Sequence, residues 1–571
     1  MTVIRRVKTG ARGWVAQAKQ DLTVELSPND DGSHIWSNQD LDPTPPEKRN
    51  YHWYNYLFYF IGTGFNNWTG GSGIIGVGLG WKVAIILAFA GNTLAGLLVA
   101  ANAKAAARYH LGFPAIARSV YGMWGSSYQV TIRAILACVW YATKIYENAS
   151  YLDVILRAIF GHSYTSIPNH VPESIGYTTR DFLCYFLVWV IYLPLLLRRP
   201  YQMKFLFTTA CVLSFPAIFG TFIYCMVQSG GKLGLGEFAT TELSKSRRAW
   251  LIIYAFSSTI SNGSSYIESF PDMARWSHSQ WSPIPTTIFT NAVFNPLSSI
   301  LGILGTAALQ HATGKTIWTP WLVLGYMLDQ HPSSAGRFGV FCLSVTWFSL
   351  SLAQNVSSNM IPFGSDTSML WPRYITMTRG FIIVHILAWA MCPWKIYASA
   401  STFFNFMGAY GIFMGPAVSI MLVEYFFISR GNIFVTSLYV GDKTNKNYWY
   451  TGGWNLQAYV AYVTAVGICF VGFVNKVGAK VPPAGEDLGD LGWLLTFPTG
   501  GIVYYLVNLV WPHQNVQNVK GLKWEEFAKN GSYDTISGLP GTGAVVVDDD
   551  SLLPSSEGAG DKGVIPKSAD V

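Results

Sequence analysis

The chain has 571 residues, half of them in the hydrophobic set and only 12% charged, with a net charge of +7. A soluble domain carries about twice that charged fraction, so the composition excludes an ordinary soluble protein and implies a chain built for a bilayer. Aromatic residues make up 15%, with 22 Trp, which suits rings placed at membrane interfaces and around an internal site.

The first fifty residues are polar and Pro-rich, and read as a mostly extended N-terminal tail. They lack the apolar centre of a cleavable signal peptide. A membrane helix needs about 20 mostly apolar residues. On that criterion about 12 transmembrane helices follow, starting near Tyr51, Lys82, Gly125, Asp181, Met203, Trp250, Thr286, Phe338, Gly380, Phe404, Leu456 and Leu491. An even number puts both termini on one side. Of the 38 Lys and Arg, 24 fall in the tails and the loops on their side against 12 opposite, which predicts cytoplasmic termini. The seven cysteines sit in or beside apolar runs and read as small core hydrophobes.

The first span reads "FIGTGFNNWTGGSGIIGVGLG" and is weakened at its centre by Gly, Thr, Asn and Ser. The sixth reads "WLIIYAFSSTISNGSSYIESFPDMARW" and dissolves in the same way before a proline. Backbone in lipid must find partners within its own segment. Two breaks, at 64–73 and 257–265, lie at matching places in the two halves and point to a secondary transporter with inverted repeats. The alternative is glycine that only permits close helix packing, as at Gly76 and Gly80. A polytopic enzyme would need a set such as H-E-x-x-H, and an ATP-driven pump a G-x-x-x-x-G-K-[ST] loop; neither occurs.

Several ordered blocks carry a resemblance: "WSNQDLDPTPPEKRNYHWYNY", "FNNWT", "FPDMARW", "AQNVSSNMIPFGSDTSMLWPRYITMTRG", "CPWKIYASASTFFNFMGAYGIFMGP" and "YWYTGGWNLQAYVAY". The chain resembles the nucleobase:cation symporter family, and within it the fungal uracil, allantoin, uridine and thiamine permease branch. The resemblance implies an all-α polytopic fold of the leucine-transporter type, a 5+5 inverted repeat with broken helices 1 and 6 plus two peripheral helices. The implied organisation is a tail (1–50), a first repeat (51–229), a second repeat (250–430), two further helices (431–512) and a disordered cytoplasmic tail (513–571). It also implies import of a small heterocycle with a cation across the plasma membrane. No cofactor, metal or nucleic-acid partner is expected.

The site residues that the resemblance implies are Trp140, which stacks on the ring, and Asn359 on helix 8, which binds its polar edge. Lys144 stands one turn from Trp140 where the family has Gln. An amide donates and accepts, whereas an ammonium only donates. Asn66 and Asn67 lie at the first break, and Gly263 and Ser264 at the second. Gly263 occupies a position where many relatives place an aromatic ring, and Tyr266 substitutes only if the local alignment shifts. Trp68 reads as core. Sodium-coupled relatives carry Ser and Thr at the positions of Ala353 and Gln354, so the cation site is degenerate and a proton is the expected coupling ion. Glu268 and Glu147 are the buried carboxylates available to carry it or to pair with Lys144; Arg133 reads as structural. An unpaired Lys144 would favour an anionic heterocycle, and a paired one a neutral ring. Thiamine, nucleosides or a non-transporting nutrient receptor are the alternatives. In the C-terminal tail, Asp548, Leu552 and Leu553 form an acidic-dileucine pattern for endocytic sorting machinery, and tail lysines such as Lys19 are candidates for ubiquitin.

Overall fold

The computed structural model describes residues 23–24, 35–234 and 244–526. The sorting residues Asp548, Leu552 and Leu553, and Lys19, lie outside the described residues. Within them the chain is all-helical, with two isolated β-bridges, Tyr51 with Ser277 and Thr451 with Trp454. Every expected span has its helix. They are α1a (Trp53–Gly64) and α1b (Trp68–Gly76), α2 (Trp81–Tyr109), α3 (Ser126–Phe160), α4 (Thr179–Leu196), α5 (Lys204–Gln228) and α6 (Lys245–Ser269). Then come α7 (Ile284–Thr313), α8a (Ser334–Asn355) and α8b (Ile361–Leu370), α9 (Met377–Leu387), α10 (Ala400–Val423), α11 (Leu456–Lys476) and α12 (Pro483–Val510).

Eight of these segments are long and apolar enough to cross a membrane by length and hydropathy alone. The other four fail for visible reasons: α1 is interrupted, α3 carries Arg133, Lys144 and Glu147, α6 is rich in Ser and Asn, and α9 is short. The largest boundary error is at α12, which begins at Pro483 because the helix continues through a kink at Gly492 (φ +32°). Helix α2 packs against both α6 and α7, α3 against α8a, α1a against α5, and α11 and α12 against each other and α10.

The two predicted breaks differ from expectation. Helix 1 is interrupted by one 3-10 turn, Phe65–Asn67, and two serines of α7 cover the carbonyls there. Ser298 Oγ donates to Phe65 O (2.8 Å) and Ser299 Oγ to Asn67 O (3.4 Å). Helix 6 is not broken at 257–265. Some of its hydroxyls bond back to their own helix, Thr259 to Ala255 O (2.8 Å) and Ser265 to Asn262 O (3.3 Å), while Ser257 donates across to Leu491 O (3.0 Å), and the polar run stays helical. Its interruption comes at Phe270, before Pro271 opens the single turn Pro271–Ala274. Conversely, helix 8 contains a π turn, Val356–Met360, that the apolar pattern does not announce.

The tails also need correction, since the end of the first and the start of the second are bound. Arg275 donates to the carbonyls of Asp40 (2.6 Å) and Asp42 and to Thr44 Oγ1 (2.8 Å). Arg118 donates to Trp36 O (2.6 Å), and Asn38 to Ser368 O (3.1 Å). Past α12, Glu525 is buried, accepts from Tyr425 OH (3.2 Å) and lies 3.6 Å from Lys104. Five cysteines are buried as expected, whereas Cys342 is exposed and Cys392 half-buried; all are free thiols.

Trp68 is fully buried core, edge-on to Trp347. Gly302 and Gly305 of α7 make room for it. A Cβ at Gly302 would stand 2.8 Å from Trp68 O and 3.0 Å from its Cγ. Gly302→Val is therefore expected to cost about 1–3 kcal/mol through overpacking. Thermal unfolding of the purified variant measures this, and an unchanged transition would refute it.

Candidate functional site

A cavity of about 90 Å³ opens beside the 3-10 turn of helix 1. Trp140, Lys144, Asn66, Asn67, Gly263, Gln354 and Asn359 all line it. Three of these belong to interruptions, Asn66 and Asn67 in the 3-10 turn and Asn359 in the π turn, and Gln354 lies two residues before that turn on α8a. A π turn offsets the side chains around it, and such turns recur at functional sites. Ser264, Ala353, Glu147 and Glu268 are not on the wall. Ser264 is fully buried, with its Oγ donating to Ile260 O (3.5 Å), and Ala353 is core.

Trp140 is held by edge-on contacts with Phe403, Phe406 and Tyr410, with centroids 5.5–6.2 Å away. Gly263 explains the missing aromatic of helix 6. A Cβ there would come within 2.6 Å of Ala95 Cβ, so α6 and α2 approach too closely for a ring. Aromatic surface comes instead from Phe60, Tyr266, Tyr397 and Phe403, all on the cavity wall. Tyr397 and Phe403 stack on each other at 5.1 Å.

Lys144 Nζ lies 2.6 Å from Glu147 Oε2, one turn further along the same helix, and both side chains are buried. Tyr397 OH adds a longer contact to the same carboxylate (3.5 Å). The pair presents no net charge. Glu268 takes no part in it.

Glu268 belongs to a second cluster. Arg133 donates to both oxygens of Asp366, lies 2.8 Å from Asp272 Oδ2 and donates to the Glu268 carbonyl (2.7 Å). Asp272 Oδ1 accepts from Ser365 Oγ (2.8 Å) and Phe113 N (3.1 Å). The Glu268 side chain is 2% exposed, and its Oε1 has no hydrogen-bond partner.

At the degenerate cation position, Asn66 Nδ2 donates to Gln354 Oε1, so a direct bond from helix 1 to helix 8 uses the one side-chain oxygen available there. Sequence reasoning missed Asn92, Asn262, Asn291 and Asn295, four more carboxamides on the wall from α2, α6 and α7. For Asn92 the signal was present, since an Asn in an apolar membrane helix is costly unless it meets a partner or a cavity. Among the described residues no group of three or more His, Cys, Asp or Glu is placed to hold a metal.

A family profile described as permease for cytosine/purines, uracil, thiamine, allantoin matches residues 43–496. The chain belongs to this family. The permease is 30% identical over 479 residues to the allantoin permease of Saccharomyces cerevisiae, covering 83% of this chain and 75% of that one. It is 31% identical over 462 residues to the uracil permease of the same yeast, covering 80% and 73%. Its fold is similar to that of Mhp1, a nucleobase-cation-symport-1 family transporter solved in a closed conformation with bromovinylhydantoin bound. That likeness has a TM-score of 0.65 at 20% identity and covers 87% of this chain and all of the other. The permease is thus a multi-pass secondary transporter and not an enzyme.

Proposed function

We propose that this permease imports a small, neutral nitrogenous heterocycle by proton symport across the plasma membrane, with both termini in the cytoplasm. The observation that carries the reading is a single cavity that joins an indole face, Trp140, to carboxamides at Asn66, Asn67 and Asn359. Flat rings stack on indole, and amides both donate to and accept from a lactam edge. The names of the yeast relatives and the hydantoin in Mhp1 support the same ligand class. The Lys144–Glu147 pair favours a neutral ring.

Proton coupling rests on the Arg133 cluster. The Asp272 and Asp366 carboxylates already face one guanidinium in a buried setting, Arg133 meets Glu268 only through its backbone carbonyl, and a further ionised carboxylate buried without a partner is costly. Glu268, whose Oε1 is unpartnered, is the carboxylate we assign to carry the proton. In this reading the two five-helix units, 51–229 and 250–430, supply the alternating access.

Uptake of labelled uracil, hydantoin and allantoin into liposomes holding the full-length protein tests the reading. An inward proton gradient should drive accumulation without sodium, and Trp140→Ala should abolish it. Asn359→Ala should lower uptake about tenfold, equivalent to ~1.4 kcal/mol, as expected for lost hydrogen bonds to the ring. Accumulation that needs sodium and ignores the proton gradient would overturn the coupling assignment. Ligand binding without any accumulation would instead identify a receptor.

A further inference from the structure

Helices α10 and α12 touch at one level and part below it. A Cβ at Gly500 would stand 2.7 Å from Pro416 Cβ, and one at Gly501 would stand 2.3 Å from Ser419 Oγ. Towards their C-terminal ends a cleft of about 450 Å³ opens between them. Ser419, Val423 and Phe427 line one side, and Ile502, Tyr505 and Leu506 the other. Positions three and four apart share a helix face, so each helix gives the cleft a single stripe. Phe427, which belongs to the π turn Glu424–Ile428 closing α10, is exposed, as are Ile502 and Leu506. The cleft is therefore apolar along its length and open on its outer side.

A second cavity of about 190 Å³ continues from it, with Phe427 and Tyr505 common to both. Its lining includes Arg430 and Lys520 and no carboxylate. Lys520 comes from the segment after α12, which is fastened to the end of α10. Glu525 N donates to Arg430 O (3.0 Å), and Asn432 Nδ2 donates to Lys523 O (3.0 Å). Both cations are exposed. The carboxylates of this end are engaged elsewhere: Glu525 lies 3.6 Å from Lys104 and 3.7 Å from Arg108, and Glu424 3.2 Å from His513. Glu526 accepts from Lys523 N (2.7 Å).

From Pro498 to Leu509 the two cavities follow α12 for about 16 Å, at 1.5 Å per residue. One leaflet of a hydrocarbon core ~30 Å thick spans about 15 Å. Trp511, just past the end of α12, is exposed where an interfacial ring belongs. A cleft one leaflet long, apolar throughout and cationic at its water end, complements an acyl chain that carries an anionic head.

We propose that this cleft binds an anionic glycerophospholipid, with an acyl chain between α10 and α12 and the phosphate head at Arg430 and Lys520. Basic pockets between membrane helices on the cytoplasmic side take such heads. The placement in the cytoplasmic leaflet rests on the orientation proposed above. A bound lipid ties α10, α12 and the C-terminal segment together. The cleft shares no residue with the heterocycle cavity, so it stands or falls apart from the transported substrate.

Native mass spectrometry of the detergent-purified full-length protein tests this, with dioleoyl phosphatidylserine against dioleoyl phosphatidylcholine. A cation beside an anionic head is worth about fivefold in affinity, so the wild type should prefer the serine lipid by about twentyfold. Lys520→Gln should lower that preference to about fivefold, and Arg430→Gln combined with Lys520→Gln should erase it. Arg430→Lys with Lys520→Arg keeps both charges and should keep the preference. Leu506→Trp, which fills the cleft, should weaken both lipids alike. A wild type that binds the two lipids equally holds only the ordinary lipid belt and overturns the site. A serine-lipid preference that survives loss of both cations overturns it too, because the lipid then binds elsewhere. Should the double variant fail to fold, Lys520→Gln alone decides, and an unchanged preference there overturns the site. Displacement of the lipid by inorganic phosphate, with no effect of Leu506→Trp, would reveal a free-anion site without a lipid cleft and overturn it as well.

Discussion

Replacing Arg133 by leucine is expected to leave little folded permease. Arg133 is 2% exposed and meets three acidic residues from three other elements: both oxygens of Asp366 on α8b, Asp272 in the turn after α6, and the Glu268 backbone at the end of α6. Its guanidinium also lies 3.8 Å from the Phe113 ring centroid. Removing the cation leaves buried carboxylates without compensation, which costs about 3–5 kcal/mol. Arg133→Lys should fall between, because an ammonium keeps the charge but not the two-pronged geometry. Monodispersity and thermal unfolding of the detergent-purified variants measure both effects. An Arg133→Leu protein that melts with the wild type would show that the cluster does not hold α3 to α6 and α8b.

Lys144→Gln is expected to destabilise the protein rather than redirect its specificity. Glu147 is 1% exposed, and its closest partner is the Lys144 ammonium at 2.6 Å. Breaking a buried pair by removing one member costs about 3–5 kcal/mol, whereas replacing both with apolar residues of similar size is often neutral. Lys144→Met combined with Glu147→Leu should therefore recover most of the stability that Lys144→Gln loses. The cycle of singles and double gives the coupling directly. If Lys144→Gln keeps full stability but changes the preferred ring, the lysine acts on substrate and not on Glu147.

What the sequence disclosed and what it hid follow from how local each feature is. Apolar runs announced most of the helices, and the resemblance announced Trp140 and Asn359, which the fold brings to one cavity. The polar run of α6 misled, because Ser and Thr side chains that look like a break can cap their own helix. The π turn was hidden because "AQNVSSNMIP" reads as ordinary helix. The bound tails were hidden because their partners lie far away in sequence, Arg275 for Asp40 and Lys104 for Glu525. The α7 wall was overlooked because Asn291 and Asn295, one turn apart, look like a packing contact until Gly64 is found opposite them.

The π turn Val356–Met360 makes helix 8 one residue longer than an unbroken α ladder needs between the same end points. Taking one residue out of it would restore regular winding and swing everything upstream by about 100° against everything downstream. Asp366 would stay on Arg133, while Gln354 would turn away from Asn66. Length, more than residue type, is therefore the sensitive variable in this stretch. A relative shorter by one amino acid here can share every downstream side chain and still present a different surface to the cavity. Comparisons that count residues back from Asn359 to find a cation ligand carry that offset with them.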